Sequence, residues 1–379
     1  MQTGSSGRAG TAGGRRTLGV EEELLLVHSD TGVPVAVAGS VLARADDKAA
    51  IRLAPGEIEA ELQQQQIEVE TTPTTALAEV GRQVSGWRRR ADELGRAAGA
   101  RAVALPTSPL PVDPLTTIKA RYQAMVEQFG LTTMEQLTCG CHVHVGVDSD
   151  DEGAAVLNRI QPWLPVLLAL SANSPYWAGR DSGYASFRSQ AWMRFPTAGP
   201  VRRFASGADY RAYVDRLVGT GVPLDGDMIY FHARLSRRYP TVEVRIADIC
   251  ARTDDTVMIA GLVRALVDTA AAAWADDQPE PDLDPELLRL STWRAGRSGV
   301  RGDLIDPITG TPRPAAAVIE TLLDHVGAAL EANEDQEPVR AAVRRTPAEG
   351  TGADRQRRVM DRTGDLAAVV RDVAEVTLG

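Results

Sequence analysis

The segment Thr241-Val242-Glu243-Val244-Arg245-Ile246 alternates apolar and charged side chains one for one. Successive side chains on a strand point to opposite faces, so Val242, Val244 and Ile246 share one face and Glu243 and Arg245 the other. The apolar face requires a core behind it. Glu243 and Arg245 then project from a packed sheet into something polar. Two other segments show the same parity. Glu21 and Glu23 share a face in Gly19-Val20-Glu21-Glu22-Glu23, and His142 and His144 share one in Cys139-Gly140-Cys141-His142-Val143-His144-Val145-Gly146. Such strands are separated by amphipathic helices. The clearest has Leu77, Val80, Val84, Trp87, Ala91, Leu94 and Ala98 at three- and four-residue steps. Strands of a doubly wound parallel sheet are buried on both faces and read as continuous apolar runs. Strands polar on one side predict an α+β chain with a one-sided antiparallel sheet.

Composition narrows the chemistry. The chain has 379 residues and a formal net charge of −10. Its lysines are Lys48 and Lys119, and neither follows a Gly-rich turn. A P-loop is therefore excluded, and any ATP chemistry here proceeds without a Walker lysine. The acidic balance argues against nucleic acid as a partner. Three cysteines in a chain this long predict a reduced, cytoplasmic protein. The longest apolar run, Trp163 to Leu170, is interrupted by Pro165 and falls short of the ~18 residues of a membrane span. Residues 1–16 read as a disordered tail, and 17–379 as a single catalytic domain.

Strands are expected at 17–27, 67–70, 101–105, 138–147, 228–233 and 241–248. Helices are expected near 77–98, 118–129, 153–170, 285–294, 314–331 and 365–376. Two more are expected, one entered at Ser206 and one at 255–275 capped by Thr253. Residues 333–360 show no clear apolar period.

Carboxylates with one imidazole suit a hard divalent cation, Mg²⁺ or Mn²⁺. Taken singly, each segment has an ordinary reading. Glu21 to Glu23 fits a solvated acidic strand, and Glu243 with Arg245 fits a cross-strand ion pair. Cys139, Cys141, His142 and His144 invite a zinc site, but strand parity puts thiols and imidazoles on opposite faces. A zinc-dependent hydrolase using His142, His144 and Glu243 is one alternative reading. A non-catalytic small-molecule binder is another.

The ordered set of motifs resembles the glutamate–cysteine ligase type 2 family, and within it the carboxylate–amine ligase branch. It runs through Gly19 to Glu23, Glu61 to Glu68 with Thr71 and Pro73, Cys139 to Gly146, and Thr241 to Arg245. Asn173-Ser174-Pro175, Tyr184 to Arg188, Arg194 to Gly199, Trp293-Arg294-Ala295 and Gly352 to Arg357 extend it. The resemblance implies a glutamine-synthetase-like fold, a curved antiparallel half-barrel with helices on its outer face. It implies ATP-dependent ligation of an amino-acid carboxylate to an amine through an acyl phosphate. Metal positions would fall on Glu21, Glu23, Glu61, Glu68, His142 and Glu243. Glu243 and Arg245 would be catalytic, with Arg245 stabilising phosphate. Arg188, Arg194 and His144 are expected at the substrate, and Arg355 and Arg357 over the nucleotide. Glu61 and Glu68 differ by an odd number, so Glu61 needs a bulge or a place in the loop before the strand. Partners would be small molecules, with no membrane and a homo-oligomer open.

Overall fold

A computed structural model describes residues 14–45 and 56–379. Its centre is an open seven-stranded sheet. The strands are β1 (Leu18–His28), β2 (Gly56–Ala60), β3 (Gln66–Thr71), β4 (Ala100–Val103), β5 (Gly140–Gly146), β6 (Ala233–Leu235) and β7 (Thr241–Asp248). They run in the order β2-β3-β1-β5-β7-β6, with β4 also paired to β1. Every pairing is antiparallel. The one-sided pattern explains this. Val20, Val143, Val145, Val242, Val244 and Ile246 are buried on one face, against helices that carry their own apolar stripes.

Those helices are α1 (Leu77–Ala97), α2 (Asp150–Ile160), α3 (Leu164–Ser171) and α4 (Thr253–Ala275). The long helix expected over 153–170 is divided between α2 and α3 by the 3-10 turn Gln161–Trp163. Pro162 and Pro165 each remove a backbone donor there. α4 is long and apolar enough to cross a membrane by length and composition, which the sequence reading missed. Its apolar window is 72% buried, as the central helix beneath the sheet.

Several expectations need correction. Thr253 is the first helical residue; Arg252 takes the cap position, and no side chain caps the helix. Of 228–233 only Ala233 is in a strand, because Gly226–Met228 forms a 3-10 turn capped by Asp225. Residues 336–349 and 352–363 are helices, the second entered through a Thr351–Asp354 capping box. The tail expected over 1–16 lies mostly outside the described residues. Arg16 does not fit it: its guanidinium is buried on Glu152 at 2.6 Å and Asp268 at 2.8 Å.

Glu22 points away from its neighbours Glu21 and Glu23, into the layer between sheet and helices. Arg88 of α1 meets it with two bonds, 2.6 and 2.8 Å, and Thr256 of α4 donates a third at 2.7 Å. The same guanidinium also reaches the carbonyls of Cys250 and Ala251. Both side chains are essentially out of solvent. Removing one partner of such a pair strands the other charge, at about 3–5 kcal/mol. Arg88→Met is therefore expected to lower unfolding free energy by roughly that amount in urea titration. Glu22→Leu combined with Arg88→Met should recover most of it.

Candidate active site

The register assembles the site on the open face of the sheet. β1 lies between β3 and β5, so Glu23 is opposite Glu68, and Glu21 is opposite both Glu70 and His142. Next in order, His144 is opposite Glu243 on β7, and Glu243 is opposite Arg234 on β6. A register shift between Cys141 and Val143 places an irregularity at His142, and such bulges re-aim a side chain. Glu61 sits in the turn between β2 and β3, its carboxylate accepting from the Leu62 N–H at 2.6 Å. The loop, not a bulge, resolves its odd spacing from Glu68. All these side chains line one cavity of about 330 Å³.

Crowding sets the charge state. Glu68 is pushed well above the usual carboxylate range, first by burial and then by Glu21, Glu61 and Glu23. Glu61 rises to about 7 from burial and the Glu23 charge. Glu23 is also raised by burial, which the Arg188 guanidinium offsets only in part. Two others go the opposite way. Burial raises Glu21, but hydrogen bonds with His142 and His144 outweigh it and hold it well below the usual range. Burial likewise raises Glu243, and Arg245 and Arg234 more than reverse it. Arg234 grips Glu243 with bonds of 2.7 and 3.2 Å, and Arg245 donates to Oε1, the oxygen that accepts the longer of the two.

The donor set fits a divalent cation. Ligand atoms of Glu21, His142 and Glu243 lie within 4.8 Å of one another, and so do those of Glu23, Glu68 and His142. His142 Nε2 is buried and has no hydrogen-bond partner among the described residues, while its Nδ1 is 3.1 Å from Glu21. Burial and Arg245 lower this imidazole to about 4, so it is neutral and can act as a ligand. The cysteine–histidine zinc idea does not fit. Cys139 and Cys141 are buried in the apolar cores behind the sheet. Burial raises both thiols, away from the thiolate that zinc needs.

The arginines expected at the site divide. Arg245 and His144 line the cavity. Arg188 lies just behind the lining, 2% exposed, at the start of the short helix Arg188–Trp192. A Cβ on Gly140 would overlap its guanidinium, so this glycine gives the arginine its room. Arg194, Arg355 and Arg357 are not brought to the cavity. Arg194 is exposed and pairs with Glu135 at 2.9 Å. Arg355 is held by Asp372 at 2.6 Å, and Arg357 by Asp181 at 2.7 Å. The two lie on the helix Gly352–Thr363, and their charge ties it to neighbours. Sequence reasoning missed Arg234, Glu59 and Glu70, which share the lining. The parity of Glu68-Val69-Glu70 could have found Glu70.

Comparison with known proteins fits this geometry. The profile of glutamate–cysteine ligase family 2 matches residues 17–372. A Streptomyces avermitilis protein, provisionally named glutamate–cysteine ligase 2-1, is 47% identical over 96% of this chain and 100% of its own. A Streptomyces coelicolor relative with a similar provisional name is 47% identical over 94% and 97%. Among solved structures, the glutamate–cysteine ligase of Francisella tularensis has a TM-score of 0.65 at 12% identity, over 96% of this chain and 89% of that one. A bifunctional glutathione synthetase from Pasteurella multocida has a TM-score of 0.65 at 17% identity, over 96% and 52%. The fold is thus shared with these two proteins, an α+β arrangement around an open antiparallel sheet as expected, and the family match with its relatives makes the chain a ligase enzyme. The chain belongs to glutamate–cysteine ligase family 2.

Two outcomes follow from the crowding. Glu68→Gln removes a charge that its neighbours oppose, so it should raise the melting temperature in EDTA. The same variant should lose most of the stabilisation that the wild type gains from millimolar Mg²⁺. Gly140→Ala should displace Arg188 and lower both the melting temperature and turnover, while Gly39→Ala, with open space around it, should change neither.

Proposed function

We propose that this protein is an ATP-dependent carboxylate–amine ligase using Mg²⁺ or Mn²⁺. It joins an amino-acid carboxylate, with glutamate as the simplest case, to an amine such as cysteine. The observation that carries this reading is the arrangement of Glu21, Glu23, Glu68, His142 and Glu243 around one cavity, with Arg245 beside them. The Francisella protein of the same fold was solved in complex with AMP, which supports the use of a nucleotide.

A carboxylate carbon is a poor electrophile at neutral pH. Its oxygen attacks the γ-phosphorus of ATP, the bond to ADP breaks, and an acyl phosphate forms. The amine nitrogen then attacks the acyl carbon, the C–O bond to phosphate breaks, and the amine proton leaves to solvent. Negative charge gathers on phosphoryl oxygens in both steps, so catalysis rests on positioning and neutralisation. Divalent ions held by Glu21, Glu23, Glu61, Glu68, His142 and Glu243 would supply part of that neutralisation.

The chain's own residues do the rest. Arg245 presents a planar donor fork suited to phosphate oxygens. Its Nε is buried without a partner among the described residues, leaving a donor for the substrate. Glu243 fixes the other edge of that guanidinium and is itself fixed by Arg234. His144 bonds Thr241 at 2.9 Å and lies 2.8 Å from Glu21, so it holds that carboxylate in place.

The test is ADP release with amino acid, amine, ATP and Mg²⁺. Arg245→Met should lower kcat by about 10²–10³, the usual loss of one charge-stabilising contact. Glu243→Gln should lose ADP release while keeping its circular dichroism spectrum. Full turnover in Glu243→Gln, or amide hydrolysis that needs no nucleotide, would overturn the assignment.

A further inference from the structure

The run Gln63-Gln64-Gln65-Gln66 has no apolar period that assigns it to a core. The fold gives it a task. Gln64 and Gln65 donate from Nε2 to the carbonyls of Thr116 and Asp113, at 3.2 and 3.1 Å. Gln63 Nε2 donates to the Thr133 carbonyl at 2.9 Å, and Gln66 Nε2 to that of Thr138 at 2.6 Å. The last two bonds tie the chain around Glu61 to the segment that enters β5. Gln136 lies in that segment, between the two ties, and lines the active-site cavity together with Gln66 and Thr138.

Gln136 is 2% exposed. Its Nε2 donates to Thr138 Oγ1 at 2.6 Å. Its Oε1 is buried and has no hydrogen-bond partner among the described residues. A buried acceptor left unpaired is costly. Gln63 Oε1 is unpaired too, but Gln63 lies outside the cavity lining. A purely structural role for Gln136 accounts for the Thr138 bond. It does not account for a spare acceptor in the cavity wall, where methionine would fill a similar volume without that cost.

An acceptor needs an N–H or O–H. The proposed ligation brings three kinds: the neutral donors of a nucleoside, the attacking amine, and the ammonium of the amino acid. The surroundings are anionic. Glu23, Glu61 and Glu68 line the same cavity, and the segment from Gln136 ends on Glu23, which accepts from the Gly140 N–H at 2.5 Å. Carboxylates favour a charged donor over a neutral one, and they hold an ammonium protonated. The attacking amine must lose its proton to expose a lone pair, so this corner works against it. The ammonium of the amino acid takes no part in the chemistry and stays charged throughout.

We infer that Gln136 is a specificity-determining residue, its Oε1 accepting a hydrogen bond from the α-ammonium of the carboxylate substrate. This rests on the ligase reading and narrows it. The acid is an α-amino acid, and a plain dicarboxylate is rejected because it leaves Oε1 unpaired.

The test measures ADP release with ATP, Mg²⁺ and either cysteine or ethylamine, comparing glutamate with glutarate and aspartate with succinate. Melting temperatures with the same acids, Mg²⁺ and a non-hydrolysable ATP analogue read binding without turnover. The expected kcat/KM for the preferred amino acid exceeds that of its des-amino partner by about tenfold to 10²-fold, the scale of one hydrogen bond to a charged group. Gln136→Met should raise the KM for the amino acid about tenfold and leave kcat/KM for the des-amino acid unchanged. Thr138→Val, a milder change should the first variant fold poorly, unpins the amide and should lower the same preference by a smaller factor. Equal turnover of the paired acids, or a Gln136→Met that slows both alike, overturns this inference and leaves the ligase reading intact. A change confined to the KM of the amine or of Mg²⁺ does the same. An amino acid that raises the melting temperature of the wild type but not of Gln136→Met, with no ADP release from any pair, overturns the ligase reading and keeps the ammonium site. Neither release nor a shift overturns both.

Discussion

Glu21, Glu23, Glu68 and Glu70 stand next to one another on adjacent strands, on a face withdrawn from bulk water. Like charges at that spacing repel, and burial withdraws the solvent that would screen them. Left alone, the cluster would protonate or open. The sheet does not allow it to open, because every strand that carries a carboxylate is bonded on both edges or anchored by apolar residues behind it. Backbone pairing and the core therefore hold the charges together, and the repulsion is retained in the fold.

The balancing charges are arginines, of which Arg234, Arg88 and Arg264 each reach more than one acceptor. Arg245 and Arg234 share Glu243 on the cavity side. Behind the sheet Arg88 closes on Glu22, and Arg264 closes on Asp335 and on the carbonyl of Thr75. A lysine offers a point charge and could not fork between a carboxylate and two carbonyls. The scarcity of lysine, which in the sequence only excludes a P-loop, has a structural counterpart. Arg88, Arg188 and Arg264 are among the largest fully buried side chains of the protein.

Much of the site was legible because strand parity is rigid. Once Val242, Val244 and Ile246 are assigned to a core, Glu243 and Arg245 can only face the other way, and they do. The same logic placed Glu21, Glu23, His142 and His144 together and sent Cys139 and Cys141 behind. Motif matching did less well for long arginines. Arg194, Arg355 and Arg357 fit the family pattern, yet each is spent on a local carboxylate. A flexible side chain's partner depends on what the fold brings near its tip, and spacing along the chain does not encode that. Arg234 was overlooked for the same reason, since its importance comes from lying across the ladder from Glu243.

The sequence by itself determined the one-sided antiparallel sheet, the residues of its polar face and the absence of a P-loop. These follow from alternation and composition, which are local. Only the tertiary structure decided which strands are neighbours, and so which carboxylates face one cavity. It also seated Glu61 in a turn, made room for Arg188 over Gly140, and gathered five distant aromatic residues into one cluster. Those outcomes depend on long-range register and packing, in which residues more than a hundred positions apart become adjacent.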